Sequence, residues 1–196
     1  MPESQRDYIL KSLIEDSFLA LVATTTALVE KARKLHGASP TATAALGRLL
    51  SLTGIMGSQL KGKEKISIQI LSRGPLKELF AQSDSRGNVR GFVKWPHIDL
   101  PPKKTGHIDV EGALGHGGMM YVLRDFGYGE PQWGAISLKT GGVATDLAYY
   151  FALSEGIPSA VGAGVYVGEY GEVLGAGAFI IQPLPKADPH VRERLE

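Results

Sequence analysis

The chain has 196 residues, 43% hydrophobic and 21% charged, with 21 Lys plus Arg against 20 Asp plus Glu. That length buries a sizeable core without cross-links or structural metal, and a net charge of +1 lacks the basic surplus with which nucleic-acid binders neutralise phosphates. There is no cysteine, so disulfides, thiolate nucleophiles and thiolate zinc ligands are all excluded.

Residues 1–8 are polar, and the apolar run from Phe18 to Ala23 is too short and too late for a secretion signal. No stretch approaches the ~18 apolar residues of a membrane-spanning helix. The expectation is a cytoplasmic protein without membrane or nucleic-acid partners.

Taken in chain order, Tyr8–Leu13 and Phe18–Ala23 read as two strands around a polar turn at Glu15-Asp16-Ser17. Thr24–Thr26 offer an N-cap to a helix with Leu28, Val29, Ala32 and Leu35 on one face, stopped by Gly37. Pro40–Leu60 reads as a second helix, apolar on nearly every side and therefore buried. Gly47, Gly54 and Gly57 would each cost up to ~1 kcal/mol against alanine inside it, so another element must pack closely there.

The period then changes to two at Ile66, Ile68 and Ile70, and a hairpin follows with its turn at Ser85–Asn88 and a strand from Val89 to Trp95. Pro96, Pro101 and Pro102 mark an irregular crossing. Met119–Arg124 and Gly134–Leu138 read as strands, Asp146–Glu155 as a helix, and Val161–Val167 with Val173–Ile181 as a last hairpin. The fold class is α+β, with mostly antiparallel or mixed sheets packed with helices around one buried apolar helix.

Three catalytic look-alikes fall short. Gly57–Glu64 has P-loop glycine and lysine spacing, but Glu64 stands where magnesium needs Ser or Thr, and the segment ends a helix instead of opening one. Ser58-Gln59-Leu60-Lys61 with Lys139-Thr140-Gly141 and Ser83-Asp84-Ser85 echoes a serine β-lactamase. This acyl-transfer hydrolase is the enzyme alternative, although Ser58 would lie at the C-terminal end of its helix, where the dipole disfavours a carboxylate substrate. His107, Asp109, Glu111 and His116, like His97 and Asp99, read as polar residues flanking loops and not as metal ligands.

The pattern over nearly the whole chain resembles the heat shock protein 33 family. The resemblance is carried by the buried helix with Ala45-Leu46-Gly47-Arg48, Met56-Gly57 and Leu60-Lys61-Gly62, and by Gly74-Pro75 and Gly87-Asn88-Val89-Arg90-Gly91. Ser154-Glu155, Pro158–Gly162 and Ala176–Gln182 continue it. It implies a holdase chaperone, not an enzyme, that binds unfolding proteins without ATP under oxidative or heat stress and forms homodimers, with exchange of elements as one route.

It also implies a chaperone core over residues 1–183 and the start of a helical linker over 184–196. In the family a C-terminal module with four cysteines binds zinc and senses oxidants. None of those cysteines is present here, so no cofactor is expected in this chain. A holdase works through exposed apolar surface. Phe126, Tyr128 and Trp133, set among Gly127, Gly129 and Pro131 in a predicted loop, are the expected client-binding residues.

Overall fold

The computed structural model describes residues 6–185. Most of the expected linker, residues 186–196, lies outside the described residues. β1 (Tyr8–Ile14) and β2 (Phe18–Thr24) form the first hairpin. Its turn holds Glu15 and Asp16 in the left-handed region, at φ 48° and 49°, and the Ser17 N–H donates to the Ile14 carbonyl over 3.0 Å.

α1 (Thr26–His36) ends where Gly37 takes φ 57°, the left-handed stop that glycine adopts without strain. Its start differs from expectation. Thr25 stands at the N-cap but makes no side-chain cap; its hydroxyl instead meets the Ser51 hydroxyl at 2.6 Å. The cap comes from the residue preceding β1, where the Asp7 carboxylate accepts the Ala27 and Leu28 N–H groups at 3.0 and 2.7 Å. The expected apolar face is only partly buried: Val29 is enclosed, while Leu35 is exposed.

α2 (Pro40–Gly57) is the filling of the molecule, with sixteen of its eighteen residues buried. It is three residues shorter than expected. Ser39 caps it by accepting the Ala42 N–H, and Pro40 occupies the first turn, where no backbone donor is missed. One side packs on β3 (Lys65–Leu71), β4 (Glu78–Asp84) and β5 (Val89–Val93), the other on β2, β8 (Ala160–Val167) and β9 (Val173–Pro183).

The close-packed glycines follow from that position. A Cβ on Gly47 would come within 2.6 Å of Val29 and 2.8 Å of Val165, and one on Gly57 within 2.5 Å of the Ser83 Cβ. The remaining elements are α3 (Val110–Leu114), β6 (Met119–Asp125), β7 (Gln132–Ser137) and α4 (Val143–Ser154).

Every strand pairing is antiparallel. One sheet runs β1-β2-β9-β8, the other β5-β4-β3-β6-β7. The inner faces join α2 in one core cluster through Leu21, Ala178 and Ile180 on the first sheet and Ile66, Ile68, Ile70, Leu79 and Val122 on the second. Because strand side chains alternate, each inner residue leaves its neighbours on an outer face. Among the described residues, no helix is long and apolar enough to cross a membrane.

Candidate functional site

The β-lactamase constellation does not assemble. Ser58 caps the end of α2, and its hydroxyl donates to the Ile55 carbonyl over 2.6 Å. Lys139-Thr140-Gly141 instead wraps the buried Asp146 carboxylate, which accepts the Lys139, Thr140 and Gly141 N–H groups at 2.9, 3.0 and 2.9 Å. That turn packs on Glu111, which pairs with Arg48 at 3.8 Å. Arg48 and Ser58 are ten residues apart on α2, or about 15 Å along its axis.

The polar residues of 97–116 have structural partners. Asp99 accepts the Thr41 N–H and hydroxyl at 3.0 and 2.7 Å. Asp109 caps α3, accepting the Gly112 N–H at 2.9 Å. Glu111 binds the Lys103 ammonium at 2.5 Å, and this pairing, with Arg48 nearby, holds its carboxyl below the usual range against the opposing effect of burial. His116 contacts the Lys139 carbonyl.

Among the described residues, no three His, Asp or Glu side chains gather as a metal site. Four-thiolate zinc ligation does not fit this chain, because it has no thiol.

What the fold does present is apolar surface on both outer faces. On the first sheet, register aligns Leu10 with Val22, Val22 with Phe179, and Phe179 with Gly162. The Phe179 ring lies over Gly162, where any Cβ would collide with it. Leu10, Val22 and Phe179 remain 58%, 45% and 40% exposed. Tyr8, Ile14 and Tyr166, also exposed, lie on the same face. Uncovered apolar surface of this extent marks binding sites on soluble proteins.

The second sheet carries an aromatic outer face. Phe80 and Phe92 stack at 5.7 Å, and Tyr121 and Trp133 sit 6.3 Å apart. Trp133 lies on β7, not in the predicted loop, opposite the exposed Leu123 of β6. It is 69% exposed, and Tyr128, at the tip of the β6–β7 connection, is 79% exposed.

Phe126 is half-buried, 6.4 Å from the Tyr128 ring. It lines a cleft of about 210 Å³ with Met56, Leu60 and Phe151. Arg124 and Glu155 pair across that cleft at 2.8 Å, and burial, reinforced by Glu155, pushes the Tyr150 hydroxyl up to about 12. The structure thus spreads the three expected aromatics over a strand, a loop tip and a cleft wall. The outer row on the first sheet went unread in the sequence, because Phe18–Thr24 is apolar at almost every position and gives no sign of which face is covered.

The comparisons with known proteins agree with one another. A family model described as "Hsp33 protein" matches residues 7–196. The "33 kDa chaperonin" of Agathobacter rectalis is 46% identical over 192 residues, covering 97% of this chain and 66% of that protein. That of Geobacter sulfurreducens is 44% identical over 190 residues, covering 96% and 63%. The chain thus spans somewhat under two thirds of the length of these curated relatives. A crystal structure of the 33 kDa chaperonin (heat shock protein 33 homolog) from Thermotoga maritima superposes with a TM-score of 0.83 at 38% identity, over 90% of this chain and 60% of that one. Matched over nearly its whole length by sequence and by fold, the chain belongs to the Hsp33 protein family.

Proposed function

We propose that this chain is the client-binding part of an ATP-independent holdase chaperone, which covers apolar segments of unfolding proteins and so prevents their aggregation. The observation that carries the reading is the exposed apolar row on the outer face of the first sheet, running among the described residues from Leu10 through Val22 to Phe179. A client segment laid on such a face gains ~25 cal/mol for each Å² of apolar area removed from water, before ordering costs. Binding of this kind needs no nucleotide and no reactive side chain, and the Ser58 hydroxyl of the hydrolase alternative is engaged at the end of α2 while the Lys139 backbone N–H serves the turn around Asp146.

Phe126, Tyr128 and Trp133 form a second contact region in this proposal, with aromatic rings offering large area at small entropic cost. Non-native polypeptides are the partners and the working assembly is a homodimer in the cytoplasm; both follow the family resemblance. The family's oxidant response has no thiol in this chain through which to act.

Light scattering of a heat-unfolding client is the test. The chain suppresses scattering near equimolar ratio without ATP, and replacing Phe126, Tyr128 and Trp133 together by serine weakens suppression. Absence of suppression by the folded wild-type chain refutes the chaperone reading. Unchanged suppression by the folded triple variant removes the aromatic region from it.

A further inference from the structure

Among the described residues β1 is an edge strand with nothing beyond it in its sheet, and all seven of its residues are exposed. The hydrogen-bonding parity of β2 shows which of its groups are free. The Thr25 N–H donates to Ala176, and the Ser17 carbonyl accepts from Leu184. Odd-numbered residues of β2 therefore direct their backbone groups at β9 and even-numbered ones at β1, since these directions alternate along a strand.

The register pairs Phe18, Ala20, Val22 and Thr24 with Ile14, Ser12, Leu10 and Tyr8. Ile9, Lys11 and Leu13 consequently turn their N–H and C=O groups outward, away from β2. Such an open ladder is a template for another strand.

The side chains flanking it are apolar on both faces: Tyr8, Leu10 and Ile14 on one, Ile9 and Leu13 on the other. Ile9 also lines a groove of about 1170 Å³ floored by Ser51 and Gly54 of α2 and walled by Leu28 and Leu35 of α1. An added strand would therefore meet apolar surface above and below.

Charge narrows the occupant. Lys11 is the central residue of β1, and Arg6 and Lys31 border the groove. Asp7 is occupied in capping α1 and Glu30 in binding Arg33 and Lys34. Pairing β1 antiparallel with the same strand of a second copy about its centre would set two Lys11 side chains opposite each other, which is unfavourable.

We propose that the free edge of β1 captures an extended apolar segment of a non-native polypeptide, poor in basic residues, by strand addition. The inference rests on the chaperone reading and gives it a backbone-level mechanism: the outward groups of Ile9, Lys11 and Leu13 recognise extended chain of any sequence, and the flanking side chains select for apolarity.

Lys11→Pro tests it. Proline removes one outward N–H while sparing the β1–β2 bonds, and edge strands tolerate it. Lys11→Thr removes the charge but keeps the N–H. Binding of reduced, alkylated α-lactalbumin is read by fluorescence anisotropy, beside suppression of citrate synthase aggregation. Lys11→Pro is expected to bind roughly five- to tenfold more weakly, as loss of one exposed backbone bond and its neighbour's access implies, while Lys11→Thr binds like wild type. Amide exchange of the wild-type chain needs no variant: on binding, Ile9, Lys11 and Leu13 gain protection, whereas Tyr8, Leu10, Ser12 and Ile14 are protected already.

If wild type binds and suppresses, but Lys11→Pro matches it and the three amides exchange unchanged, strand addition is overturned and the chaperone reading stands. If wild type neither binds nor suppresses, the chaperone reading falls and takes this inference with it.

Discussion

Replacing Leu10, Val22 and Phe179 together by serine removes the apolar row of the first sheet and leaves its inner face intact. Fully burying such a side chain contributes ~1.5–3 kcal/mol. With the three 58%, 45% and 40% exposed, the part still to be gained on covering them is ~0.6–1.7 kcal/mol each, or ~2–4 kcal/mol together. Ordering costs of ~0.5 kcal/mol per side chain lower this to about 1–3 kcal/mol. The triple variant should therefore bind reduced, alkylated α-lactalbumin roughly ten- to a hundredfold more weakly. Folding should suffer little. Surface substitutions usually stay within ~0.5 kcal/mol, with more expected at Phe179 because its ring packs over Gly162. A loss of ~1 kcal/mol lowers the Tm of a chain this size by about 2–4 °C. Anisotropy titration gives the affinity and a calorimetric scan gives the Tm. A variant that keeps its Tm and its full affinity would refute the assignment of this face.

Gly57→Ala should destabilise the chain by ~1–3 kcal/mol, because its Cβ would enter the space of Ser83; Gly57→Ala with Ser83→Gly should recover much of that loss in urea titrations. Asp146→Ala strips three backbone N–H groups of their acceptor, with an expected loss of at least ~3 kcal/mol, and Asp146→Asn should lose less because it keeps one acceptor oxygen. Glu30 accepts from Arg33 Nε and Nη2, each at 2.8 Å, and from the Val173 N–H at 3.0 Å. The Arg33 guanidinium is the main cause that lowers its carboxyl from the usual 4.5 to about 2. A depressed carboxylate stabilises the fold fully above its unfolded-state value, and that stability is lost as pH falls through about 2. Glu30→Gln should thus lower the urea midpoint at pH 7 and flatten its decline between pH 4.5 and 2.

Much of the architecture was legible because local signals agreed with the packing. Ile66, Ile68 and Ile70 alternate in sequence and all face α2. Gly37 marks the end of α1 by a conformation that glycine alone adopts freely. The all-round apolarity of α2 made sense once two sheets were found on either side of it. What stayed hidden depended on distant partners. The cap of α1 comes from Asp7, twenty residues upstream, and α3 is five residues nucleated by Asp109, too short for a periodic pattern. Trp133 read as a loop residue because glycines and a proline precede it, although β6 pairing draws it into a strand. The outer row was hidden for a different reason: hydrophobicity says that a side chain avoids water, not which neighbour covers it.

The proposed binding surface and the stabilising core are drawn from different residues of the same strands. In β2, Leu21 and Ala23 face α2 and are buried, while Val22 between them faces outward. In β9, Ala178 and Ile180 are buried on either side of Phe179. Alternation lets a greasy outer face exist without loosening the core, because the free energy that holds the sheet comes from the opposite set of side chains. The edge at β1 extends the same division to the backbone: Tyr8, Leu10, Ser12 and Ile14 hold the strand to β2, and Ile9, Lys11 and Leu13 turn their backbone groups outward. Under the proposed holdase function this separation is needed, since a binding surface taken from the core would open only when the chain itself began to lose its structure.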